Sequence, residues 1–492
     1  LPTSSTSAEV SSTLDISEIH NAIGKMKAVD LQPYSIVEDA GFTELVNLLE
    51  PKYKIPFHCF FSDKVIPDMY DKVIKQVRNA VDRANALAFT CDTWTSEYTI
   101  QSYISLTVYW IDVEFSRRSA VLQCKAFNTR HTGKQIADSV LETMKTWDIP
   151  TKKCHIIVRD KAANMVKGLS EARLPSIGCF AHTLKLCIHD SLFSERCVND
   201  GIAICRKTVG HFKHSSSARF TELQSELGLP NHNLIQDVVT RWNFCYLMME
   251  QKRAVNLYIS ETDNMQHIHA QQWALMETVI GILQPFEELT RDICAANACI
   301  SIILPAVAII STDVADDCIK HMKNLMLSSI QSKFQGLEEN SLLVVATALD
   351  PRYKIRFSSE KVKLSCLQSV DVFQEREQRA GKSPGRETGP SPSNKKCKGI
   401  WNNWEERFGK KKNNNQPMPT NTVEKEMNAF YLDQNIDFSE DPVQWWKRNR
   451  IIFPNLAKTA EMHLCSPPTS VQSEQLLSTA GDFCSHSRSS LR

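Results

Sequence analysis

No stretch of this chain is apolar for long enough to cross a bilayer. The most apolar run, IILPAVAII at 303–311, stops well short of the roughly 20 residues a spanning helix needs. The opening LPTSSTSAEVSS lacks the apolar segment of a secretory signal. Glycine-rich phosphate loops are absent, which argues against nucleoside triphosphate chemistry, and no nucleophile-elbow motif supports a Ser-His-Asp hydrolase. Net charge is missing as well: 57 Lys and Arg stand against 56 Asp and Glu, so any nucleic-acid surface must come from local segregation of charge. The sixteen cysteines form no repeated framework and accompany thirteen Met, which fits reduced thiols in the cytosol or nucleus.

With 492 residues, 42% of them hydrophobic and 23% charged, the chain is read as soluble, largely globular and built from two to four structural units. Its first residue is Leu rather than Met, which leaves room for upstream elements. The Ser/Thr-rich start is read as disordered, with the unstructured segment drawn over 1–32. A helical region follows at 33–86. There Phe42, Leu45, Val46 and Leu49 recur at helical spacing up to Pro51, and a second helix carries Val65, Ile66, Met69, Val73, Ile74, Val77 and Val81, with Ser62 as its expected N-cap.

Residues 87–192 read as one α/β unit. LAFTC at 87–91, YISLTVYWI at 103–111 and SAVLQCKAF at 119–127 are expected strands. A helix from about Lys134 to Trp147, capped by Thr132, leads to a fourth strand, CHIIVRD at 154–160. Residues 193–373 are expected to be all-helical, with one segment carrying Trp273, Leu275, Met276, Val279, Ile280, Leu283 and Phe286 through a kink at Pro285, and another running from 301 to 334. Composition then turns polar, Pro/Gly-rich and basic over 374–422, with clusters at Lys395, Lys396 and Lys398 and at Lys410, Lys411 and Lys412. This is a flexible linker, whose lysines are either solvated disorder or a DNA tether and nuclear-import signal. Order returns over 423–492.

Three acidic stretches stand out against this frame: AFTCDTWTS at 88–96, IIVRDKAANM at 156–165 and TSVQSEQLLSTAGD at 469–482. Each places a carboxylate, Asp92, Asp160 or Glu474, beside an apolar run, the first two where a buried strand would end. Taken singly, Asp92 or Asp160 is a turn or cap residue. Together, carboxylates on adjacent strand ends can share divalent ions. Cys179 and His182 form a C-x-x-H, with Cys187 and His189 just beyond; on a helix these four do not converge tetrahedrally, and no zinc site is expected.

DTW, D-x-A-A-N-M, the C-x-x-H of GCFAHTLKL, TRWN, LDPRYK and finally DPVQWWK with FPNLAKTAEMHLCSPPTSVQSEQLLSTAGDF follow one another in an order that resembles the hAT-superfamily DNA transposases, in particular the transposase-derived proteins of animals that carry a BED zinc finger. The likeness runs from about residue 33 almost to the end, though no C-x-x-C followed by a His pair occurs upstream of residue 91. The resemblance implies an RNase H-like α/β core interrupted by a large all-α insertion and completed by a C-terminal dimerisation segment. It implies that Asp92, Asp160 and Glu474 descend from a DDE triad using Mg²⁺ or Mn²⁺ for DNA cleavage and strand transfer. Cys179 would support that centre, with His182 near the scissile DNA. Arg241 would meet a phosphate and Trp242 stack on a displaced base. DNA and a second copy are the implied partners, with no nucleotide cofactor, and the nucleus the implied location. The alternative is a domesticated, non-catalytic DNA-binding transcription regulator that keeps the core as scaffold.

Two further expectations belong here. Val443, Trp445, Trp446, Phe453, Leu456, Ala457 and Ala460 offer an apolar surface suited to the core and to a partner subunit. The dimerisation motif stops at Leu491 and Arg492, so self-association is expected to be weaker than in longer relatives. Arg159 and Lys161 flank the second acid; strand geometry sends Arg159 to the opposite face and lets Lys161 extend into solvent or towards a DNA phosphate.

Overall fold

The computed structural model describes residues 15–95, 101–128, 130–214, 218–228, 252–261, 269–311, 320–354, 368–369 and 422–475. The expected base-stacking pair Arg241 and Trp242, the linker lysines, nearly all of the 374–422 linker and the first 14 residues lie outside them. The chain divides into two units, 1–83 and 84–492.

In the first unit, helix α1 (Ile16–Val29) lies inside the segment read as disordered, which corrects that reading from Asp15 onward. The Asp15 carboxylate accepts the Ser17 amide at 3.0 Å and caps the helix. Ile23 is buried with Val37, Tyr53, Phe61 and Val65, which offsets the entropy of ordering this helix. A Cβ on Gly24 would come within 2.9 Å of Met69 and Val65, so glycine permits this close approach of α1. The apolar helix expected before Pro51 is α2 (Ala40–Leu49), but Leu45 and Leu49 are exposed rather than buried. The next helix begins earlier than expected: His58–Phe60 and a π-helical turn, Phe61–Val65, run straight into α3 (Ile66–Arg83). Ser62 is therefore not an N-cap. Its hydroxyl donates to the Cys59 carbonyl at 3.2 Å and to Asp63 at 2.6 Å.

The second unit holds a five-stranded mixed sheet in the order β3-β2-β1-β4-β5. Strands β1 (Leu87–Thr95), β2 (Ser102–Ile111) and β3 (Arg117–Ala126) are antiparallel neighbours, while β4 (Cys154–Arg159) and β5 (Ser176–Gly178) run parallel to β1. Helix α4 (Gly133–Thr146) starts in a reciprocal cap between Thr132 and Gln135 and makes the crossover from β3 to β4. Four of the strands stand where the apolar runs predict them. The short β5 went unread, because three residues carry no periodicity. β1 is longer than LAFTC: it continues to Thr95 because Asp92–Thr95 pair with Ser102–Ser105 of β2. On the outer strand, Leu122 is skipped between the pairs Leu106–Gln123 and Thr107–Val121, and the Trp147 indole donates to the Leu122 carbonyl at 3.0 Å. That bulge bends the exposed edge away from flat pairing.

Helix α5 (Ala163–Glu171) follows β4 and crosses α4 at two glycines. A Cβ on Gly168 would overlap the Gly133 carbonyl and sit 3.2 Å from the Gly133 Cα, and Asn164 Nδ2 donates to the His131 carbonyl at 2.8 Å beside the same crossing. Gly168→Ala is accordingly expected to lose about 1–3 kcal/mol of stability by overpacking, read as a lower urea midpoint. A midpoint at the parent value would show that the helices separate freely.

Helices α6 (Phe180–Leu192), α7 (Arg196–His214), α8 (Ala218–Glu226), α9 (Lys252–Glu261), α10 (Ala270–Cys294), α11 (Ile303–Ile310), α12 (Lys320–Lys333) and α13 (Ser341–Leu349) follow. α10 runs on through Pro285 and buries Met276, Val279, Leu283 and Phe286. The pattern from 301 to 334 is not one helix: a 3₁₀ turn, Ile300–Ile302, precedes α11, and 312–319, outside the described residues, separate it from α12.

The C-terminal elements α14 (Thr422–Leu432), α15 (Pro442–Asn449) and α16 (Pro454–Leu464) pack into the same core. Val443, Trp445, Trp446, Phe453, Leu456, Ala457 and Ala460 are all buried within the chain itself, which corrects the expectation that they also face a partner. The reason is mutual packing around Phe430: its ring lies 5.1 Å from Trp446 and 5.4 Å from Trp445, and the Trp446 indole donates to the Leu349 carbonyl at 2.9 Å. Glu426 reaches from α14 to accept the Asn455 and Leu456 amides at 3.0 and 3.1 Å, capping α16.

LDPRYK joins this region to α13. Asp350, fully buried, accepts from Arg352 Nε and Nη2 at 3.0 and 2.7 Å and from the Ser301 hydroxyl at 2.6 Å. Lys354, also buried, donates to the carbonyls of Phe430, Asp433 and Gln434 at 2.9–3.1 Å, closing the C-terminal end of α14. Arg352 and Pro351 offer carbonyls to Asn435 and Ile436.

Candidate active site

The parallel pairing of β1 with β4 ends at Cys91 opposite Arg159. Asp92 and Asp160 are each the next residue, so the register brings two carboxylates to neighbouring positions across strands about 4.8 Å apart. Asp92 is not at the end of its strand, as the sequence implies, but at the point where β1 loses its β4 partner and keeps β2. Residues on one face of a strand alternate, so Thr90 shares the face of Asp92. Its buried hydroxyl lies 2.6 Å from that of Ser473, the neighbour of Glu474 in the helical turn at 471–475. Among the described residues, no Lys or Arg forms an ion pair with Asp92, Asp160 or Glu474.

What brings the distant segment here is Cys179, fully buried at the start of α6. Its amide donates to the Arg159 carbonyl at 2.5 Å, and its sulfur accepts from the His182 amide at 3.5 Å and the Ser470 amide at 3.4 Å. The Phe180 amide donates to the Pro468 carbonyl at 3.1 Å. Cys179 thus clasps the end of β4, the first turn of α6 and the 468–470 segment. His182 lies one turn into that helix, half-buried. Cys187 is buried further along α6, and His189 packs on Phe193 with ring centroids 4.7 Å apart.

The electrostatics reflect this gathering. The Asp92 carboxyl is pushed up to about 7 by burial first, then by Glu474, then by Asp160, against a smaller downward pull from the Thr93 amide. The Cys294 thiol, at the end of α10, is pushed up to about 12 by burial, with Cys179 and Glu474 adding to the effect.

These donors have the chemistry of a hard-cation site, all carboxylate oxygen, and Asp92 and Asp160 each spend one oxygen on a local amide, Thr93 at 2.9 Å and Ala162 at 3.2 Å. Among the described residues, however, no group of three or more His, Cys, Asp or Glu side chains stands close enough to hold one ion. The cluster is near enough to shift Asp92 but does not close around a single point.

The two cations beside Asp160 are both engaged in the scaffold. Arg159 is buried, donating to the Ser176 hydroxyl at 3.3 Å and the Asp160 carbonyl at 2.8 Å, and its guanidinium stays within electrostatic range of Asp160. Lys161 corrects the expectation that it reaches solvent or a phosphate. Its ammonium donates to the Lys333 carbonyl at 2.9 Å, at the negative end of α12, with its stem lying over Gly178.

Sequence reasoning missed Thr90, Ser470 and Ser473 as residues of this centre. A signal existed in the hydroxyl two places before Asp92, but its partner lies 383 positions away.

Three family models match the chain in order: the ZBED1 RNase-like domain over residues 90–174, the ZBED1 RNase-like helical domain over 177–282 and the hAT family C-terminal dimerisation region over 426–492. Human zinc finger BED domain-containing protein 4 is 29% identical over 94% of this chain and 41% of its own length. Human zinc finger BED domain-containing protein 6 is 26% identical over 69% of this chain and 38% of its own length. A Zea mays protein named for the AC transposase is 24% identical over 91% of this chain and 60% of its own length. The chain therefore spans about two fifths of the length of the first two relatives. No helix among the described residues is long and apolar enough to cross a membrane. Ordered motifs, matched domains and relatives agree in one likeness: this chain is similar to the hAT transposase-derived proteins related to the BED zinc-finger family.

Proposed function

We propose that this is a hAT transposase-like nuclear protein that binds DNA and self-associates, with an RNase H-like core interrupted by an all-helical insertion. Asp92, Asp160 and Glu474 are read as the descendants of its phosphodiester-cleaving centre. The observation that carries this reading is the register: two acids one residue beyond the same β1–β4 pair, with Glu474 drawn to their face through Ser473. A divalent ion such as Mg²⁺ or Mn²⁺, if held by Asp92, Asp160 and Glu474, would supply Lewis-acid stabilisation for phosphodiester cleavage. The chain's own contribution is to hold three acids on one face and to bind the DNA, with His182 on the DNA side and Arg241 and Trp242 gripping a phosphate and an unstacked base.

A second reading has an observation in its favour. The three carboxylates do not close around one ion, which suits a domesticated DNA-binding regulator that keeps the core as scaffold. Two measurements test the proposal. Trp242→Ala is expected to weaken binding to DNA bearing an unpaired base by about tenfold, within the roughly 1–3 kcal/mol of one stacked base, and to change duplex binding less. Equal loss on both substrates would return Trp242 to the core. Calorimetry should show Mn²⁺ binding that Asp92→Asn, Asp160→Asn and Glu474→Gln each abolish; a parent chain that takes up no Mn²⁺ would leave the regulator.

A further inference from the structure

β1 outlasts one of its neighbours. β4 stops at Arg159, opposite Cys91, whereas β1 runs on to Thr95 against β2. In that extension the register sets Asp92 opposite Ser105 and Trp94 opposite Tyr103. Asp92 and Trp94 are two residues apart on one strand and share a face of the sheet, so the indole stands roughly 6–7 Å beyond the first acid. The Trp94 and Tyr103 rings are stacked, with centroids 5.9 Å apart and planes 30° from parallel.

This face is closed at one end and open at the other. Ala88 and Tyr109, a pair on the same face, are buried in the helical core, while Trp94 and Tyr103 are only half-buried. On the outer strand, Cys124 opposite Ser105 and Ala126 opposite Tyr103 are small and exposed. Helix α4 lies against the other face, where Lys125 Nζ donates to Glu142 at 2.9 Å and the Thr143 hydroxyl donates to Gln123. Cross-strand aromatic pairs stabilise a sheet wherever they stand. What separates this pair is its place, beside Asp92, past the end of β4 and bordered by small side chains. We infer that Trp94 and Tyr103 form a stacking shelf for an unpaired nucleobase, holding the nucleotide next to the phosphodiester that the acids address. Aromatic faces accept any base, so the shelf grips an opened DNA strand without reading its sequence. This rests on the DNA-cleaving descent of the acids and names the form of DNA that their face takes.

The test uses the full chain and a single-stranded oligonucleotide carrying 5-iodouracil, a base that photocrosslinks to aromatic side chains stacked on it. Residues 84–117 contain no Lys or Arg before Arg117, so trypsin releases both rings in one peptide, and fragmentation locates the adduct. The adduct should fall on Trp94 or Tyr103, and its yield should drop when the same base is paired in a duplex. In anisotropy titrations Trp94→Ala and Tyr103→Ala should each weaken single-strand binding by about fivefold or more, the low end for one stacked base, and duplex binding less. Trp94→Phe should keep most of the binding, with thermal melts as the folding control. Should an alanine variant fail to fold, the crosslink on the parent chain still decides. Adducts confined to other peptides, or equal yields from single strand and duplex, overturn the shelf while DNA binding stands. A parent that binds neither form of DNA overturns both.

Discussion

Asp350→Ala is expected to destabilise the second unit by about 3–5 kcal/mol, the cost of breaking a buried ion pair by removing one partner. Asp350 is wholly buried and Arg352 nearly so, and the carboxylate takes both guanidinium bonds, the Arg352 amide at 3.0 Å and the Ser301 hydroxyl. Deleting it leaves a cation in the core, since an arginine guanidinium keeps its proton even without a partner. Ordinary domains are stable by about 5–15 kcal/mol, so the loss would approach unfolding. The damage should fall on the C-terminal helices first, because the carbonyls of Pro351 and Arg352 and the ammonium of Lys354, right beside Asp350, help to join α13 to the chain after 430. Urea unfolding with protease mapping of residues beyond 422 checks both points. A change below about 1 kcal/mol would rank this pair with solvated surface pairs and refute the argument.

The second large effect is a dependence on pH and divalent cation. Asp92 titrates near 7 in the folded chain against an ordinary 3.8. Between those values the unfolded chain releases a proton that the folded chain keeps, so stability falls as pH rises through this window. The deficit is absent below the lower value and complete above the upper one. A shift of about three units corresponds to about 4 kcal/mol. Glu474→Gln removes the larger of the two charged neighbours, so it should lower the Asp92 value and return part of the stability at pH 8 while changing little at pH 4. Mn²⁺ should raise the melting temperature more at pH 8 than at pH 5, when Asp92 is still protonated. Melting curves at the two pH values, with and without Mn²⁺, decide the matter. A parent whose stability is flat across this window would mean that Asp92 is neither buried nor crowded by Glu474 in solution.

The sequence was most informative where chemistry is local. Period-two and buried apolar runs located β1 to β4, helical spacing located α4 and α10, and the helix before Pro51 was legible as well. Acids at the ends of apolar runs marked Asp92 and Asp160, because a carboxylate is tolerated only where a buried strand gives way. Ordered motifs supplied the family, which the matches along the chain support.

Local pattern could not say what lies opposite what. An apolar helix reads the same whether it faces core, partner or water: α2 keeps Leu45 and Leu49 exposed, and the Trp445–Trp446 pair, read as partly a partner surface, is buried around Phe430. Single hydroxyls and thiols carry no periodicity at all, so the roles of Thr90, Ser473 and Cys179 were fixed only when β1, α6 and the 468–475 segment came together. LDPRYK was visible as letters, but its meaning lies in a buried charge whose partners are held by Ser301 and by the chain around 430–436. Residue type and spacing determined which groups this protein owns. The parallel register of β1 on β4, a long-range choice of pairing, decided that two of its acids meet.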